Sequence, residues 1–349
     1  MNKSNLCVIN LCHYFLLNDD DILSVASLYN ISLVVLNEAE FVYNNCLPLK
    51  VVAYNSLIID DYEIFVIPKD CPIDQYEFSY ELINNILNKQ KKIYTFVKIN
   101  RAKLKTKKQS SLITECFPNF YETNLNYPYF QSKALTIYIC GNCVNTSKNN
   151  INIILKEKFE KTGAKIISIS NNEYAGILGQ KIYPKEIFNK KEDLGKRCMK
   201  FSNYITDLDN KEHPDLYLMT VPSFTQTKNY NEFMIPDIFK LMSPPDYLIY
   251  CLFTHNYTNN EISQMSNLSI NTKKVDCYYI SQNSLNLLPN RNFQHFSYAI
   301  VRHTSDISKM ISNNLSKHGI TVFADMFDLS EYVLMDFFNK YHTPGNCIL

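Results

Sequence analysis

The stretch Leu135-Thr136-Ile137-Tyr138-Ile139-Cys140-Gly141-Asn142-Cys143-Val144-Asn145-Thr146-Ser147-Lys148 decides the class of this fold. It opens with an apolar run the length of a buried strand, Leu135–Cys140. Gly141 then starts a short polar loop, and Asn149–Thr162 takes up helical spacing until Gly163 closes it. Ala164–Ile169 is a second apolar run. Strand, helix and strand in that order read as a parallel β-α-β unit.

Downstream the alternation continues. A helix is expected at Glu173–Leu178, a long polar helix at Pro184–Leu208, and strands at Leu216–Val221, Tyr247–Phe253, Lys274–Ile280 and Phe296–Arg302. Helices fall at Asn259–Asn267, Ile307–His318 and Leu329–Tyr341, with a strand at Thr321–Ala324. Upstream the rhythm is shorter. Strands are expected at Leu6–Asn10, Ser32–Asn37, Glu63–Pro68 and Lys92–Ile99, and helices at Asp19–Tyr29 and Tyr76–Lys89. Phe117–Gln131 is rich in Asn, Pro and Tyr without a clean period and reads as a linker. The expectation is an α/β protein of two Rossmann-like three-layer domains. The first covers residues 1–116, the linker 117–131, and a larger second domain 132–349, which resembles a degenerate phosphate-loop (P-loop) domain.

Composition narrows the function. With 349 residues the chain is long for one domain at roughly 150 residues each. It is 46% apolar, enough for real cores. Lys+Arg 35 against Asp+Glu 34 leaves a net charge of +1, so no global field favours nucleic acid or an anionic membrane. The six basic residues of Lys98–Lys108 read as a solvated surface run. No run of about 18 apolar residues occurs to span a membrane. Eleven cysteines without a signal-like start point to reduced thiols in a cytoplasm.

The loop after Leu135–Cys140 carries the chemistry. A strand, a tight loop and a helix start are what a phosphate site needs, because the first helical N–H groups point outward and the helix dipole adds positive charge. Gly141 would let the loop turn, Lys148 would neutralise phosphate, and Thr146 or Ser147 would offer a hydroxyl to Mg²⁺. The cofactor implied is ATP or GTP with Mg²⁺. The pattern is imperfect: six residues separate Gly141 from Lys148, and the glycine expected before the lysine is missing. An ordinary βα turn is the competing reading.

Cys140 and Cys143 form a Cys-x-x-Cys pair in the same loop, the arrangement of a thiol-redox site. No second such pair completes a zinc site, and His213, His255 and His303 have no ligand spacing to it, so no metal is expected. Asp215 precedes its strand and reads as a turn residue, and Asp325 reads as a helix cap. No motif names a reaction, and enzyme, redox protein and inert scaffold all stay open.

From Ile137 to Cys277 the chain resembles the clostridial peptide maturation system proteins, accessory proteins encoded beside radical SAM maturases and small Cys-rich precursor peptides. The likeness rests on Gly141-Asn142-Cys143-Val144-Asn145-Thr146-Ser147-Lys148, where the family has Gly-x-Gly-x-Asn-Thr-Asn-Lys. It extends through Ser168–Gly179, Tyr183–Phe188, His213-Pro214-Asp215, Pro245-Asp246, Tyr257-Thr258 and Val275-Asp276-Cys277. Two departures stand out. Cys143 replaces a glycine, and Pro222-Ser223-Phe224 stands where the family has Pro-Gly-Gly. Gly141, Asn145, Thr146 and Lys148 are kept. The resemblance implies a role in making a ribosomally synthesised, modified peptide, with a precursor peptide and a radical SAM maturase as partners.

Overall fold

The computed structural model describes residues 4–9, 29–36, 50–68, 71, 73–75, 77–105, 111–115, 132, 134–141, 147–188, 192–221, 239, 244–270, 272–288 and 297–341. Contacts divide the chain into two compact units. One is Met1–Phe117 with Asn172–Leu178, the other Pro118–Asn171 with Gly179–Leu349.

The first unit contains β1 (Ser4–Ile9), β2 (Tyr29–Val35), β3 (Lys50–Ala53), β4 (Ile64–Ile67), α1 (Glu77–Asn88), β5 (Lys92–Thr95) and β6 (Ile113–Glu115). All pairings are parallel, in the order β3-β2-β1-β4-β5-β6. That is the doubly wound dinucleotide-fold order. Strands buried on both faces read as unbroken apolar runs, as Leu6–Ile9 and Leu33–Val35 do. Leu82, Ile83, Ile86 and Leu87 turn the apolar side of α1 into this core. Residues 1–140 contain no glycine. The Gly-rich turn that lets a pyrophosphate approach the main chain in that fold is therefore missing from this unit.

The second unit holds β7 (Leu135–Gly141), α2 (Lys148–Glu160), β8 (Ile166–Ser170), β9 (Lys181–Ile182), α3 (Leu194–Glu212), β10 (Leu216–Thr220) and β11 (Tyr247–Leu252). It continues through α4 (Asn259–Ser266), a small hairpin β12 (Ser269–Ile270) and β13 (Lys273–Lys274), and β14 (Cys277–Ile280). An antiparallel ribbon β15 (Asn283–Leu288) and β16 (Ser297–Arg302) follows, then α5 (Ser305–Ser316), β17 (Val322–Phe323) and α6 (Met326–Tyr341). The main sheet runs β17-β14-β11-β7-β10-β8-β9, all parallel.

Strand alternation splits this core into two layers. Tyr138, Cys140, Tyr217, Tyr250 and Ile280 face α3, α4 and α5. Ile137, Ile139, Leu218, Ile249 and Cys277 face α2 and α6. The result is three layers, helix on sheet on helix. On the second face Phe337 of α6 packs edge-on against Phe159 of α2, with centroids 5.4 Å apart, and also meets Tyr247 and Tyr341.

Several expected elements differ. The single helix at Pro184–Leu208 is a short 3₁₀ turn, Lys185–Phe188, and a separate α3. Asp193 starts α3 by accepting from the Lys196 amide at 3.2 Å, and left-handed His213 ends it. Glu173–Leu178 is 3₁₀ rather than α-helical. Lys274–Ile280 breaks into the β13 edge and β14. Of Asp19–Tyr29 only Tyr29 is described, and it opens β2; the linker 117–131 also lies outside the described residues. Arg101 and Lys103 of the basic run pair with Glu115 and Asp74 at the surface.

Phe337→Ala should lower unfolding free energy by about 3–5 kcal/mol in a urea titration, because three rings lose their partner. A loss below about 1 kcal/mol would mean that α6 does not pack on α2 as described.

Candidate functional site

An open parallel sheet offers its ligand crevice at the carboxyl ends of adjacent strands whose connections leave in opposite directions. In the second unit β7 leads through α2 to β8 on one side. Its neighbour β11 leads through α4 to β14 on the other. The crevice therefore lies beyond Gly141 and Cys251, which are paired in register. The sequence-selected loop leaves the sheet at this point.

The local geometry is informative on both sides of that loop. Lys148 is the first residue of α2 and only 5% exposed. Before it, Ser147 has φ +63°, in the left-handed region. In the Gly-x₄-Gly-Lys-Ser/Thr pattern the residue before the lysine is glycine. Here a serine stands at that place, in a backbone conformation that favours glycine. A non-glycine residue bears roughly 1–2 kcal/mol for it. Ser147 makes no side-chain cap; its carbonyl accepts from Ile151 at 3.0 Å, and its hydroxyl lies 3.5 Å from that of Ser281. Asn149 stands where the pattern has its Ser/Thr, and its Oδ1 accepts from Ser170 at 2.8 Å.

Beneath the helix start lies a buried polar network that the sequence reading did not single out. Asn152, wholly buried, donates through Nδ2 to Thr220 Oγ1 at 2.9 Å and to the Leu218 carbonyl at 3.2 Å. Its Oδ1 accepts from Ser168 Oγ and from Gln180 Nε2, the latter at 3.2 Å. Gln180 Nε2 also reaches Ser168 Oγ at 2.8 Å. A signal did exist. Asn149 and Asn152 share a helix face at i, i+3, and Ser168 and Ser170 share a strand face at i, i+2. On the neighbouring edge, Thr254 and Ser308 hydroxyls meet at 3.1 Å, and Thr254 donates to the Ser281 carbonyl.

Gly141 is buried at the end of β7. Asn142 to Thr146, and with them Cys143, Asn145 and Thr146, lie outside the described residues, as do Pro222-Ser223-Phe224. Cys140 is 1% exposed and faces the α3 side with Tyr138 and Tyr250, and burial pushes its thiol well above the usual range. A redox thiol needs the opposite, access and a lowered pKa. Asp215 accepts from the Lys165 amide at 2.8 Å, and Asp325 accepts from Phe327 and Asp328 amides at 2.7 and 3.2 Å, a turn residue and a helix cap respectively. Among the described residues no three His, Cys, Asp or Glu gather as a metal site. No helix among them is long and apolar enough to cross a membrane.

Among solved structures the chain is similar to a DUF1611 family protein from Anabaena variabilis ATCC 29413. Identity is 10%, the alignment covers 97% of this chain and 100% of that one, and the TM-score is 0.52. The likeness is one of fold. A complex of S. cerevisiae Dbp5 with Gle1 and IP6 aligns at 10% identity over 95% of this chain and 80% of that chain, but its TM-score of 0.19 carries no argument. No family model matches the chain, and no curated protein does.

Ser147→Gly should raise stability by about 1 kcal/mol in denaturant titration, since glycine adopts this φ freely, while Ser147→Val should lower it. Equal stabilities would place Ser147 outside the left-handed region. Cys140 should resist thiol reagents in the folded protein at pH 8 and react once unfolded, as read by peptide mapping. The sign follows from burial. The folded thiol stays neutral while the unfolded one ionises near its ordinary pKa of 9.0, so this group's contribution is intact below pH 9 and falls away above it. Rapid labelling of native Cys140 would refute its burial.

Proposed function

We propose that this chain is an accessory protein in the maturation of a ribosomally synthesised, modified peptide, and that the Gly141–Lys148 crevice takes the phosphates of ATP or GTP with Mg²⁺ to gate that role. The peptide half draws on the motif resemblance between Ile137 and Cys277, which also implies a precursor peptide and a radical SAM maturase as cytoplasmic partners. The phosphate half draws on one observation: buried Lys148 opens α2 directly after left-handed Ser147. A lysine that opens a helix adds its charge to that of the helix start, and a phosphate bound there would meet both. Gly141 would allow the main chain to approach, Asn145 and Thr146 would line the loop, and Lys148 would neutralise phosphate charge. Asn149 is held by Ser170, so hydroxyl ligands for Mg²⁺ would fall to Thr146 and Ser147. The thiol reading through Cys140 and Cys143 is weaker, because Cys140 is buried on the opposite face of the sheet from α2.

Titration calorimetry with ATP and with GTP, each with Mg²⁺, tests the site. The parent should bind one of them, and Lys148→Ala should weaken it at least about tenfold, or 1.4 kcal/mol, with its circular dichroism unchanged. Equal affinity in the variant, or no heat with either nucleotide in the parent, would remove the phosphate reading.

A further inference from the structure

The second unit carries a cleft that the crevice above does not use. It has a volume of about 740 Å³ and lies between the turn His255-Asn256-Tyr257 and the outer side of α5. Helix α5 buries Ser308, Ile311, Ser312 and Leu315 against the sheet. Its cleft-lining stripe is Asp306, Lys309, Met310, Asn313 and Asn314, continued by the C-cap Lys317, at the i, i+3, i+4, i+7, i+8, i+11 positions of one helix face. Met310 is 61% exposed at the middle of this stripe, and Ile307 beside it is also exposed. Isolated exposed apolar residues are ordinary. Here they sit between two lysines that pair with no acid among the described residues, above the side-chain amides of Asn313, Asn314 and Asn256.

We infer that this cleft docks an acidic peptide segment in extended form. Lys309 and Lys317 give it positive charge that Asp306 only half offsets, whereas His255 faces Glu261 at 3.9 Å and adds none. The amides can read a peptide main chain, and Met310 supplies an apolar contact. Spacing narrows the sequence. Eight helical residues rise about 12 Å, and four extended residues span about 13 Å. Acidic side chains at i and i+4 of a strand, which share one face, match the two lysines. The inference rests on the peptide half of the proposed function and on no part of the phosphate half.

Fluorescence anisotropy with a labelled peptide of about a dozen residues, carrying Glu at i and i+4 and Leu at i+2, tests this on the full chain. The parent should bind it, more weakly as salt rises, and at least about fivefold tighter than a peptide of the same composition with its acids adjacent. Lys309→Glu with Lys317→Glu should weaken binding more than about tenfold, while Lys161→Glu with Lys211→Glu, an equal charge change elsewhere, should not. Lys309→Ala alone, with unaltered melting, should give a smaller loss and guards against misfolding of the double variant. Equal loss in both double variants would show a general charge effect and overturn the inference. So would binding of a single-stranded oligonucleotide at least as tight, or self-association of the parent that the α5 variant abolishes. Nucleotide calorimetry on the parent reads the phosphate half separately, so either half can fall alone.

Discussion

The second unit depends on one buried carboxamide. Asn152 sits one turn below Lys148 on α2, wholly buried, and exchanges hydrogen bonds with β8, β10 and Gln180. Every alternative placement of α2 on the sheet leaves several of these groups dry and unpaired, at about 1–3 kcal/mol each. Apolar contacts such as Leu155 and Phe159 hold the helix down but tolerate sliding, since they are non-directional. The amide network does not. It fixes the height and rotation of α2, and through them the positions of Ser147 and Lys148 relative to the ends of β7 and β11.

Two parallel sheets in one chain differ in whether their main chain could approach a phosphate. The first has the strand order of dinucleotide-binding folds, yet no glycine lies anywhere in residues 1–140. Strand order alone does not bind phosphate; a main chain that can approach it does. The second sheet places Gly141 at its divergent crevice and a helix start behind it. The physical requirement therefore separates the two units where the topology does not.

Strand runs were legible because parallel strands buried on both sides are continuous apolar segments, and Leu6–Ile9, Leu216–Thr220 and Tyr247–Leu252 all have that form. The short edges Lys50–Ala53 and Ile113–Glu115 were not, since an edge strand borrows its definition from a neighbour rather than from its own pattern. The long helix expected at Pro184–Leu208 failed for a local reason: the Asp193 carboxylate satisfies an orphan amide and makes a new start cheaper than continuation. At the candidate site, the strand running into Gly141 and a helix start just after Ser147 were legible from type and spacing. The conformation of Ser147 was not, because a serine gives no sign in the sequence of a left-handed φ. The amide network was missed because Asn and Ser are abundant here and look like surface residues until a helix face and a strand face are superposed.

At the start of α2 a disfavoured backbone state stands next to a buried lysine. Ser147 holds a left-handed φ without glycine, and Lys148 keeps a cation buried at the positive end of a helix. The apolar contacts of α2 with the sheet are made by Ile151, Leu155 and Phe159. A chain under selection for stability alone would place glycine at the first position and an acid or a hydroxyl at the second. Costs of this kind persist where surrounding structure over-determines them, and they gather where a ligand returns the difference. Here the over-determining structure is visible in Asn149 and Asn152, each tied to a strand within one turn of the pair. In the proposed reading, an anion at the crevice would draw on the lysine and the helix start together, which is the return that the left-handed Ser147 would be kept for.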